Sequence, residues 1–76
     1  MSTAYVLVLC NYGYSDYEIM SQLSKLPHIT EVNRIEGPYD IIVKLSDDDI
    51  DAIRESIGRD MTRIRGIQST VTLIAE

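Results

Sequence analysis

Cysteine is nearly absent from this chain: its 76 residues contain one, Cys10. A single thiol excludes an internal disulfide, and without a second cysteine there is no CxxC-type metal pair. Histidine is as scarce. His28 has no HxxxH companion and follows Pro27 in what reads as a loop, where an exposed turn residue fits better than a catalytic one. Seven basic residues face twelve acidic ones, and the net charge of −5 with a pI near 4.6 argues against a surface that neutralises phosphates or docks on anionic lipid. Direct contact with nucleic acid is therefore not expected. The apolar run Ala4 to Cys10 is far too short to span a bilayer, and no basic segment or cleavage-like site flanks it. A lone reduced thiol fits a cytoplasmic location. There is no GxSxG, no glycine-rich phosphate loop and no cysteine near a second histidine, so the chain does not read as an enzyme and calls for no metal or cofactor.

What is present fits one small domain, residues 1–76. A chain of this length buries only roughly 60% of the surface its unfolded form exposes, and staples or association commonly make up the shortfall. With no staple available, association is expected. Ala4 to Cys10 is rich in β-branched and aromatic residues and apolar on both faces, so it reads as a central strand whose second face needs cover. Ser15 and Glu18 form a capping box, and Ile19, Met20, Leu23 and Leu26 follow at helical spacing until Pro27. Residues 29–36 suit a short, twisted or bulged second strand. Ile41 to Leu45 reads as a third strand, with Ile41, Val43 and Leu45 on one face and Ile42 and Lys44 on the other. Ser46 to Asp49 caps a second helix carrying Ile50, Ile53, Ile57 and Met61 on one stripe; the helix macrodipole accounts for the carboxylates without a bound cation. Ile67 to Ala75 is the fourth strand.

The order is βαββαβ, and the halves correspond at an offset of 38 residues: Leu7 with Leu45, Ile19 with Ile57, Leu23 with Met61, Leu26 with Ile64, Ile29 with Ile67, Ile35 with Leu73. A split βαβ pair of this kind predicts an α+β, ferredoxin-like fold, a four-stranded antiparallel sheet with two helices on one face. An RNA-binding sheet of this topology would need exposed aromatics on its central strands and a basic surround. Strand three has no aromatic, and Tyr12, Tyr14 and Tyr17 gather in the first strand-to-helix loop, where they are expected to seal the core or an interface edge rather than stack on a ligand.

The turn Glu36-Gly37-Pro38-Tyr39-Asp40 opens the third strand. Pro38 fixes its own φ and Gly37 relaxes the backbone before it, so Tyr39 and Asp40 arrive at a defined place on the sheet rim. Either an ordinary β-turn or a small-ligand site fits. Together with Ala4 to Val8, Ile29 to Val32, Ile64-Arg65-Gly66-Ile67 and Thr70-Val71-Thr72, this turn resembles the effector-binding domain of the Lrp/AsnC transcriptional regulators, over nearly the whole chain. The resemblance is to a stand-alone form without the helix-turn-helix domain that usually precedes this unit.

It implies a homo-oligomer: a dimer through the sheet, assembling to an octamer or decamer, with a small amino-acid-like ligand in clefts between dimers. Carried over residue by residue, the ligand contacts would be Gly37, Tyr39 and Asp40 of the turn and Thr70 and Thr72 of the last strand. Asp40 could pair with an ammonium, and the two threonine hydroxyls with a carboxylate or amide. Pro38 and Arg34 depart from the commoner residues of the family. The implied function is effector sensing and oligomerisation that modulates transcription through a partner, such as a full-length Lrp/AsnC regulator. Two other readings share the fold: a cofactor-free enzyme of the dimeric α+β barrel type, which would want a polar cavity with a histidine or several tyrosines inside the sheet pair, and a purely structural assembly domain.

Overall fold

The computed structural model describes residues 1–75. Four strands, β1 (Ser2–Cys10), β2 (Ile29–Arg34), β3 (Ile41–Asp47) and β4 (Ile67–Ala75), form one sheet in the order β2-β3-β1-β4, with every neighbouring pair antiparallel. Helix α1 (Asp16–Leu23) links β1 to β2, and α2 (Ile50–Arg59), followed by a 3-10 turn over Met61–Arg63, links β3 to β4. This is the ferredoxin-like βαββαβ arrangement. Ala4, Val6 and Val8 of β1 and Ile41, Val43 and Leu45 of β3 are fully buried against Ile19, Leu23, Ile53 and Met61 from the helical layer. Side chains alternate along a strand, so these residues share one face, and Tyr5, Leu7, Leu9, Ile42 and Lys44 share the other.

The helices follow their local signals. Ser15 Oγ accepts the Glu18 N–H at 3.4 Å, the forward half of the expected capping box. α1 stops at Leu23, earlier than Pro27, because the following turn tightens: Lys25 and Leu26 donate to the carbonyls of Gln22 and Leu23, and Leu26 still packs on the core. At the second helix the cap is Asp49, whose Oδ1 accepts the Asp51 N–H at 2.9 Å. Ser46 and Asp47 extend β3 instead, pairing with Thr3 and Ser2.

β2 carries the expected irregularity, a register shift between Ile29 and Glu31. The 38-residue offset holds from the helices onward but fails between β1 and β3. Leu7 lies on the open face and Leu45 in the core; the equivalent positions are Ala4 with Ile41, Val6 with Val43 and Val8 with Leu45, an offset of 37. One residue of slip reverses the face of every side chain in a strand, which is why the longer offset cannot describe both strands and helices.

No helix among the described residues is long and apolar enough to cross a membrane.

Candidate functional site

The 36–40 turn joins β2 to β3, and three hydrogen bonds lock it in place. Ile35 N–H donates to Asp40 O and Asp40 N–H to Val8 O, both at 2.9 Å, while Asp40 Oδ2 accepts the Cys10 N–H at 2.8 Å. Gly37 has φ +132, open to glycine and strained for other residues, with nothing crowding the place a Cβ would take. The register of β1 against β4 shifts between Leu9 and Cys10, and Asp40 takes up the Cys10 amide at that irregularity. Asp40 therefore staples the hairpin to the end of the central strand. Tyr39 beside it is half-buried, and Gly37 is exposed.

The N-terminus of α1 meets this turn. A Cys10 Sγ and one oxygen each from Asp16 and Asp40 lie within 4.8 Å of one another. Asp16 Oδ2 in turn accepts the Arg34 Nε–H at 3.2 Å, and the Arg34 guanidinium lies over the Tyr17 ring, 5.4 Å from its centroid. Hydrogen bonding to Asp16 and the neighbouring Tyr17 hold the Arg34 pKa above its ordinary value, so the side chain stays charged at any relevant pH. The Cys10 thiol is pushed up to about 11, first by burial and then by the charges of Asp16 and Asp40. Both carboxylates already have hydrogen-bond partners, the Cys10 amide for Asp40 and the Arg34 guanidinium for Asp16, so hydrogen bonds tie the cluster together.

Thr70 and Thr72 stand on the other side of β1. They pair with Val8 and Val6, which places them on the helix side of the sheet, yet both are exposed because β4 is an edge strand that no helix covers. Thr70 reaches a groove of about 250 Å³ between the end of α2 and β4, with Ile57, Met61, Ile64 and Ile67 as its apolar wall and Gln68 on its rim; Thr72 does not line it. The five candidate residues thus form two groups, the turn and the edge strand, separated within one chain by β1. Cys10, Asp16 and Arg34, which gather at the turn with Tyr17, were not indicated as a group by sequence. Arg34 is 18 residues from Asp16, and Cys10 is 30 from Asp40, and no short motif links such positions.

The tyrosines of the first loop divide. Tyr14 packs its ring against Gly66, whereas Tyr12 and Tyr17 are largely exposed and do not seal the core of this chain. His28 is a turn residue as expected: it adopts φ 71, its carbonyl accepts the Ser46 N–H, and Nδ1 lies 3.6 Å from Asp47 Oδ1.

With the hairpin turn, sheet and edge strand in place, the class of protein can be stated. The profile of the Lrp/AsnC ligand binding domain family matches residues 3–75, and the chain belongs to that family. Among curated relatives, it is similar to an HTH-type transcriptional regulator of Pyrococcus furiosus, 26% identical over 97% of this chain and 51% of the regulator. The chain thus spans about half the length of the curated relatives it matches. Among solved structures, FFRP-DM1 is 32% identical with a TM-score of 0.89 and covers 100% of both chains. The transcriptional regulator NMB0573 of Neisseria meningitidis, solved as a complex with L-Met, shares the fold at 14% identity and a TM-score of 0.84, matching 99% of this chain and 49% of that one.

Proposed function

We propose that this chain is a non-enzymatic effector-binding and oligomerisation module, which takes a small amino-acid-like molecule beside the Gly37 to Asp40 turn and modulates transcription through a partner regulator in the cytoplasm. The observation that carries the reading is the turn itself: a rigid sheet rim that brings Asp40, Asp16 and Arg34 together beside exposed Tyr17. Opposite charges within one small, pre-ordered patch suit a zwitterion. Family membership and the regulators among its relatives favour a transcriptional role, and the L-Met held by a protein of the same fold supports the ligand class.

Association belongs to the same reading. The open sheet face carries Tyr5, Leu7, Leu9 and Ile42, with Leu73 50% and Val71 37% exposed at its β4 side, too apolar a surface to leave wet in so small a domain. A second copy packed on this face gives the dimer, and dimers meeting at the turn give a larger ring in which Thr70 and Thr72 of a neighbour complete the cleft. A barrel-type enzyme gains little from the open face, where a small dent is lined by Tyr5, Glu31, Asn33, Ile42 and Lys44, without a histidine.

Thermal melts against the twenty L-amino acids, with light scattering on the same samples, test the proposal. At least one amino acid should raise Tm and alter particle size. A flat response across the panel contradicts effector binding.

A further inference from the structure

We propose that Arg34 is the carboxylate-recognition group of the effector site, so that ligands are selected for a free carboxylate, with Asp16 and Tyr17 aiming the guanidinium. This inference rests on the proposed function and names the group that reads one end of its ligand.

Arg34 is the last residue of β2 and pairs with Ile41, so the hairpin that presents Asp40 also presents Arg34. Its donors are unevenly used. Nε is committed to Asp16, and about half of the side chain, 55%, remains in solvent. A planar guanidinium matches a carboxylate through two parallel N–H bonds, and the solvent-exposed part of this one can offer them.

An ordinary surface arginine must give up rotamer freedom to bind an anion. This one is already held at Nε by Asp16 and stacked on Tyr17, so less freedom remains to be lost on binding. Asp16 stands between the cation and the second acid, 3.2 Å from Arg34 and within 4.8 Å of Asp40. An α-amino acid can then set its carboxylate on the outer edge of Arg34 and its ammonium toward Asp40. The threonine hydroxyls across β1 are left to contact the remainder of the ligand from a neighbouring copy.

The experiment is calorimetric titration of the full chain and of R34Q and R34K with L-amino acids and with their α-carboxamides. Wild type should bind an acid at least about tenfold more tightly than its amide, the range expected of a charge-assisted pair. R34Q should lose that factor on the acid, bind acid and amide alike, and retain the wild-type circular dichroism spectrum. R34K, which keeps the charge without the fork, should fall between. Wild-type affinity and wild-type acid preference in R34Q would overturn the inference while leaving effector binding intact. Absence of binding to wild type would instead strike the proposed function itself.

Discussion

Asp40 holds a backbone amide and, in the proposed function, also meets the ligand, and the two roles can be separated. Its Oδ2 holds the Cys10 amide, so Asp40→Ala orphans that donor and should cost about 1–3 kcal/mol, read as a lower denaturation midpoint. Asp40→Asn keeps an oxygen acceptor and removes the charge; it should melt near wild type and yet lose the amino-acid response. Equal loss of stability in both variants would mean that the charge itself holds the turn.

Cys10 gives a pH signature. Its folded thiol, raised from 9.0 to about 11, keeps a proton that the unfolded chain releases earlier, so the contribution is present below pH 9 and disappears as pH climbs through about 11. Denaturation of wild type and Cys10→Ala across that window should show a fall in wild type that the variant lacks. At this scale the sequence was half legible. Gly37-Pro38-Tyr39-Asp40 announces a turn because backbone chemistry is local, whereas the Arg34–Asp16 pair exists only once α1 is laid beside β2.

At the scale of elements, the joint between the 3-10 turn and β4 is the least tolerant. Gly66 sits at φ +102, its carbonyl accepts the Asn11 N–H, and a Cβ would come within 2.7 Å of the Tyr14 ring. Gly66→Ala combines a left-handed backbone with a collision and should cost at least about 2 kcal/mol, measured by urea unfolding. Unchanged stability would show that Tyr14 swings away freely.

The elements themselves were readable because strand alternation and helix stripes are written in neighbouring residues. Their limits were less so. The acidic run from Asp47 to Asp49 offers several caps, and which one serves depends on how far β3 pairs with β1, a tertiary matter. The face of Leu7 was likewise beyond the pattern, since Ala4 to Cys10 is apolar throughout and its phase is fixed only by what packs above it.

The whole molecule is a two-layer unit with one layer uncovered. Helices bury one face of the sheet, and the opposite face keeps Leu7, Leu9, Val71 and Leu73 together on adjacent strands. Placing a charge there should cost little in the fold of the single chain and much in association: Leu73→Asp is expected to leave the proposed dimer as monomers by light scattering, at an unchanged circular dichroism spectrum. The excess of apolar surface was foreseeable from β1, but the two-part division of the candidate site was not. It follows from the sheet order, which inserts β1 between the turn and Thr70. A cleft that joins both groups needs a second chain.

The most direct measurement is the amino-acid panel read simultaneously by melting temperature and by light scattering on the full chain. An effector module gives a stabilising shift with at least one free amino acid, a change in assembly with that same ligand, and loss of both in Asp40→Asn. No shift with any amino acid, or a shift that Asp40→Asn leaves intact, contradicts a ligand site at the Gly37 to Asp40 turn.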